Sequence, residues 1–235
     1  MADLVIRGGT IYDGSGGEPI EANVAIEEGR ISAIGGQLPK GTEEIDASGK
    51  IVTPGFVDPH THYDAQVTWS KSISPSSWNG VTTAMVSNCG VGFAPCKPDD
   101  RDMLVKLMER VEDIPEVVLT EGLPWNWESF EDYLNSLDGR EYDLDVVTQV
   151  PHAAVRTFVM GERAVRHEQA TPEERIEMGH IAAECIKVGT LGFSTSRTIN
   201  HRILVGQHTS TLWAVEEKLA VIGEAIGKTV RDGCR

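Results

Sequence analysis

Residues 55–64 read Gly-Phe-Val-Asp-Pro-His-Thr-His-Tyr-Asp, two histidines one residue apart at the outlet of an apolar run that starts at Ile51 and Val52. In an extended strand residues i and i+2 face the same side, so a buried strand over 51–57 would deliver His60 and His62 to one face at its carboxyl end. Two convergent imidazoles are half of a metal site, and the fold must bring one or two further ligands from neighbouring strands. Isolated histidines are ordinarily surface or satisfied core groups. Here the apolar strand, the Thr-Pro-Gly turn within it and Asp64 just beyond favour the metal reading, with Asp64 placed to orient a ligand imidazole from behind.

The rhythm of the chain changes at this stretch. Residues 1–53 carry short runs of β-formers (Leu4-Val5-Ile6, Ala22 to Ile26, Arg30 to Ile34) separated by glycine turns, which predicts a small antiparallel sheet without a catalytic constellation. From residue 51 on, strand-like runs over 51–57, 81–87, 144–150 and 190–194 alternate with amphipathic segments, the pattern of a parallel sheet with crossover helices. Met103, Leu104, Leu107, Met108 and Val111 repeat at helical spacing, as do Trp127, Phe130, Leu134 and Leu137. Thr171-Pro172-Glu173-Glu174 is a capping box with proline in the first turn, closed at the far end by Gly189. A last helix places Val215, Leu219, Ile222 and Ile226 on one face. A complete (β/α)8 barrel takes about 250 residues. The expected fold is therefore α/β: a small β-sandwich subdomain over 1–53, then over 54–235 the first four β/α units of a TIM-type barrel, stopping where a fifth strand is expected.

Charge narrows the partners. With 21 basic against 36 acidic residues the formal net charge is -15, which opposes binding to nucleic acid or to an anionic membrane surface. No apolar run has the length of a membrane span and the N-terminus lacks a signal-peptide pattern, so a cytoplasmic protein is expected. Four cysteines, Cys89, Cys96, Cys185 and Cys234, are too few and scattered for a disulfide framework. Cys185 falls on the apolar face of a helix, where packing explains it, and Cys234 lies in a polar tail.

The chemistry is expected at the strand ends, which in a parallel barrel rim one face. The second strand runs into Ser87-Asn88-Cys89-Gly90, and a thiolate there is a natural zinc ligand at about 2.3 Å. The competing reading is a small thiol packed at a strand terminus; the upstream histidines and the following glycines favour the ligand. The third strand ends at His152, expected as a donor to a polarised carbonyl or as a satisfied structural group. After the fourth comes Arg197, whose guanidinium suits a substrate carboxylate or a surface ion pair. His167, His180, His201 and His208 lack metal-ligand spacing and stay outside the expected site.

These motifs carry a resemblance. The Gly-Arg-Ile-Ser-Ala-Ile-Gly strand, the T-P-G-F-V-D-P-H-T-H-Y-D stretch and the G-V-T-T segment resemble the amidohydrolase superfamily. N-C-G-V-G-F-A-P at 88–95, E-G-L-P-W-N-W-E-S-F-E-D-Y-L at 121–134, V-P-H at 150–152 and L-G-F-S-T-S-R at 191–197 resemble its N-acyl-D-amino-acid deacylases, or D-aminoacylases. The resemblance implies a zinc-dependent hydrolase of linear amides with N-acyl amino acids as substrates and His60, His62 and Cys89 as ligands. It also implies two more ligand histidines from strands five and six and a catalytic aspartate from strand eight, all expected beyond residue 235. The chain is thus expected to be a truncated, inactive fragment prone to self-association through exposed barrel edges. The alternatives are a cyclic-amide hydrolase of the dihydropyrimidinase or hydantoinase type, whose metal-bridging carboxylated lysine has no counterpart on strand four, and a non-catalytic remnant.

Overall fold

The first strand, β1 (Leu4–Ile11), shows how local chemistry shapes the N-terminal sheet. Val5 and Ile11 are buried, and the Gly8-Gly9 pair between them shifts the register against β2 (Ile20–Glu27). Gly8 has φ +67°, and a side chain on Gly9 would lie 2.5 Å from the Val52 methyl, so neither position accepts a larger residue. β2 returns into β3 (Arg30–Gly35) through Glu28-Gly29, both at positive φ, the geometry of a type I′ hairpin turn. β4 (Glu43–Asp46) and β5 (Ile51–Val52) complete a sheet of order β3-β2-β1-β4, with β5 also on β1. The sheet is mixed and not wholly antiparallel: the segment after β3 carries the chain back once, and β4 and β5 then run parallel to successive stretches of β1, residues 4–7 and 10–11.

This computed structural model describes residues 1–112, 114–198, 211–212, 214 and 216–233. The chain divides into two compact units, Met1–Gly55 and Phe56–Arg235.

The second unit holds a parallel sheet of order β6-β7-β8, made of β6 (Phe56–Asp58), β7 (Val81–Val86) and β8 (Asp145–Thr148). A parallel pair, β9 (Val150–Pro151) and β10 (Phe193–Ser194), follows it, linked by Leu191 N–H to the Thr148 carbonyl at 3.0 Å. Gln149 separates β8 from β9, so the expected 144–150 strand is two short ones. The expected 51–57 strand is likewise two, β5 in the first sheet and β6 in the second, split by Thr53-Pro54-Gly55; Pro54 has no N–H to donate to a ladder. Phe56 and Val57 are exposed, not buried, because β6 is an edge strand.

Seven helices are described: α1 (Arg101–Glu112), α2 (Glu116–Gly122), α3 (Phe130–Asp138), α4 (His152–Met160), α5 (Glu162–Val165), α6 (Pro172–Lys187) and α7 (Glu216–Gly233). The Thr171/Glu174 capping box opens α6, and Ser129 with Asp132 opens α3 the same way. Trp127 precedes α3, yet it packs edge-on against Tyr133 at 5.1 Å and donates its indole N–H to the Phe93 carbonyl at 2.8 Å. Helix α4 escapes a periodicity reading because six consecutive residues, His152–Thr157, are all buried, leaving no polar face to mark it. Leu104, Leu107 and Met108 of α1 are core residues, as is Ile222 of α7; Val215 and Cys234 lie outside the described residues. Among the described residues no helix is long and apolar enough to cross a membrane.

Candidate metal centre

His60 and His62 follow the end of β6 and are not on the strand itself. Their convergence still has a local cause. Thr61 between them is buried, and both its N–H (3.2 Å) and its hydroxyl (2.7 Å) bond to the Met85 carbonyl of β7. With Thr61 clamped inward, its two neighbours turn outward together. Their ring centroids are 5.4 Å apart, and the His60 N–H is held by the Asp58 carboxylate at 3.2 Å.

Cys89 arrives from the end of β7. Its Sγ lies 2.6 Å from His60 Nε2 and 3.5 Å from His62 Nε2, and the ligand atoms of all three residues fall within 4.8 Å of one another. Among the described residues this is the one such gathering of histidine, cysteine or carboxylate groups able to hold a metal ion. Tetrahedral bonds of the usual Zn–S and Zn–N lengths separate a sulfur from a nitrogen by roughly 3.6 Å. The Cys89–His62 spacing meets that separation, and Cys89–His60 would open by about 1 Å. A soft thiolate beside two imidazoles is a donor set suited to zinc, so the residues fit the ion.

The turn carrying Cys89 is built tightly. Ser87 sits in the left-handed region at φ +64°, donates its hydroxyl to the buried Asp64 carboxylate at 2.7 Å, and accepts the Ser194 hydroxyl on its carbonyl. Asp64 thereby ties the segment after β6 to the segment after β7. Gly90 follows at φ +74°, and a side chain there would meet Thr195 Cα at 2.8 Å. Its carbonyl accepts the Ala153 N–H at 2.8 Å, which joins the cysteine turn to the start of α4. Thr61, Ser87 and Ser194 were missed in the sequence because their signal is a lone hydroxyl, a residue type common in every loop.

His152 is fully enclosed at the first turn of α4. Nδ1 lies 2.8 Å from the Thr195 hydroxyl, whereas Nε2 is buried with no partner. Burial, with Lys218 and Arg156 adding to it in that order, drives its pKa well below the ordinary value, so it is neutral. Arg197 is exposed, two residues beyond Thr195. The thiols of Cys96 and Cys185 are buried and their pKa values are pushed up to about 12 by burial. His180 is exposed on α6 and His167 half-buried in a turn, while His201 and His208 lie outside the described residues.

The model of the "Amidohydrolase family" matches residues 43–235. A D-aminoacylase of Alcaligenes xylosoxydans xylosoxydans is 32% identical over 194 residues, covering 82% of this chain and 37% of that protein. A crystal structure of D-aminoacylase, described as defining a novel subset of amidohydrolases, superposes with a TM-score of 0.77 at 26% identity, covering 98% of this chain and 44% of its own. The N-acyl-D-glutamate deacylase of Bordetella bronchiseptica, solved with zinc and a phosphonate inhibitor mimicking the tetrahedral intermediate, gives a TM-score of 0.71 at 28% identity, covering 97% of this chain and 43% of its own. The chain spans about a third of the length of the curated relatives it matches.

Proposed function

The chain belongs to the amidohydrolase family, and on that premise we propose that it is part of a zinc-dependent hydrolase of linear amides of the N-acyl-D-amino-acid deacylase type. The observation that carries this reading is the meeting of Cys89 with His60 and His62, a thiol contributed by a second strand to a histidine pair from the first. Zinc held there would polarise an amide carbonyl and activate water.

This chain's own residues have separable tasks. His60 and His62 supply neutral nitrogen donors, and Cys89 supplies the donor that becomes anionic. Asp64 and Ser87 keep the two ligand-bearing segments in register. His152, through Thr195, positions the segment that ends in Arg197, and that exposed guanidinium is assigned to the carboxylate of an N-acyl amino acid. Among the described residues the metal-ligating trio is His60, His62 and Cys89 without a carboxylate ligand, and on the family resemblance, which takes the proton-transferring aspartate from a later strand, we read the chain as metal-binding without turnover by itself. The parallel order β6-β7-β8 and the β9-β10 pair support residues 54–235 as the first four units of a (β/α)8 barrel, with 1–53 as part of a β-sandwich. Exposed Phe56 and Val57 on edge strand β6 favour self-association.

The test is the zinc content of the purified chain, by elemental analysis at neutral pH without chelator. Roughly one zinc per chain is expected, lost in Cys89→Ala with unchanged far-ultraviolet circular dichroism. A metal-free parent chain, or a Cys89→Ala variant that keeps its zinc, would overturn the reading.

A further inference from the structure

Three basic side chains are buried together where α4, α6 and α7 pack. His152 and Arg156 lie one turn apart on α4, at i and i+4 and hence on one face, and Lys218 comes from the first turn of α7. Their residue exposures are 0%, 3% and 1%. Each presents a buried nitrogen that meets no acceptor: His152 Nε2, Arg156 Nε and Lys218 Nζ.

The neighbouring carboxylates are spent elsewhere. Glu174 of α6 is the acid close enough to favour the charged forms of both Arg156 and Lys218, but one of its oxygens takes Arg163 and the other caps the Thr171 N–H at 2.8 Å. Glu217 takes Arg175 at 2.9 Å. Arg156 is left with the Glu168 backbone carbonyl on one terminal nitrogen. An orphaned buried donor costs about 1–3 kcal/mol, more when charged, and native interiors rarely tolerate three in one place.

We propose that His152, Arg156 and Lys218 form an enclosed receptor for a small oxyanion, a carboxylate or inorganic phosphate. One such ion offers several acceptor lone pairs, enough for all three nitrogens, and its charge offsets the surplus of this cluster. Burial, then Arg156 and Arg175, lowers Lys218 to about 6, and Glu174 opposes them only in part. A bound anion would restore the lysine's proton, so affinity falls as pH rises above neutrality.

The experiment is thermal unfolding of the full chain at pH 7 in chloride-matched buffer of constant ionic strength, titrated in parallel with inorganic phosphate and with acetate. For whichever anion fits, the midpoint should rise with the logarithm of concentration above Kd, by roughly 3–6 °C at tenfold Kd. Lys218→Met should abolish that response. A parent chain that responds to neither anion, or a Lys218→Met variant that responds as fully as the parent, overturns the proposal. Should Lys218→Met not fold, equilibrium dialysis of labelled phosphate and acetate against the parent and His152→Gln decides the matter. Saturable uptake weakened in the variant supports the receptor, and absent or unaltered uptake refutes it.

Discussion

Two clusters containing histidine are joined through one turn, and their nitrogens are treated in opposite ways. At the ends of β6 and β7, His60 and His62 face one another and a thiol, and each ligand atom has a neighbour within 4.8 Å. Between α4 and α7, His152, Arg156 and Lys218 are sealed from solvent with donors that meet no acceptor. The first cluster gathers ligand atoms of the kind that suit a cation, and the second gathers buried nitrogens of the kind that suit the anion proposed above. Both depend on the same turn, because Gly90 follows Cys89 and its carbonyl holds Ala153, the residue after His152. The difference teaches that burial does not by itself mark a site; the sign of the unmet demand does.

The largest expected effect separates the clusters outright. Cys89→Ala should abolish stoichiometric zinc in a chelator competition while leaving the phosphate or acetate response of the unfolding midpoint in place. Loss of both together would mean that the turn, and not the thiol, was the common cause. Asp64→Asn comes next. It removes the charge that holds Ser87, and zinc affinity should fall about 10–100-fold, the range for residues that orient ligands without touching the metal.

The pH profile sharpens the contrast from the other side. Lys218 titrates near 6 in the folded chain against an ordinary 10.5, so between those values the unfolded state holds a proton that the native state lacks. Stability should therefore rise with pH from about 6 to 10.5, read as the urea midpoint in phosphate-free buffer, and level off below 6, where both states hold the proton. The groups facing Lys218 are His152 and Arg156 on α4 and Arg175 and Glu174 on α6, and of these only Glu174 favours its charged form. Lys218→Met should flatten the slope. The smallest effect is Thr171→Ala, which removes the N-cap of α6 and should cost about 1 kcal/mol in denaturant unfolding without altering zinc stoichiometry.

How much of this was legible beforehand varies with the kind of signal. The capping box at Thr171 and Glu174 was readable because it is made within four consecutive residues, and the α1 face because Leu104, Leu107 and Met108 follow the helical period. The pairing of His60 with His62 was anticipated for a cause only partly right: the pleat of a strand was invoked, whereas the clamp on Thr61 from Met85 does the aiming. Helix α4 was invisible since its residues are buried on nearly every side. Lys218 stands beside Leu219 on a helix whose apolar face, Leu219 and Ile222, is what the periodicity marks, and a charged residue there carries no signal of burial. Nothing in the local sequence around Lys218 tells that its ammonium is buried within electrostatic range of Arg156 and His152, some sixty residues away along the chain.

By itself the sequence determined the elements that depend on near neighbours: the glycine turns of the first sheet, the capped helices, the alternation that makes the second sheet parallel, and the motifs that mark the amidohydrolase family. Only the tertiary structure decided which side chains meet and in what state. The left-handed Ser87 and Gly90 bring Cys89 to the histidines, the split at Thr53-Pro54-Gly55 leaves Phe56 and Val57 exposed, and the packing of α4, α6 and α7 strips three nitrogens of water. The physical reason is that turn chemistry and periodicity act over a few residues, whereas coordination, desolvation and charge coupling act through space between segments that the chain brings together only on folding.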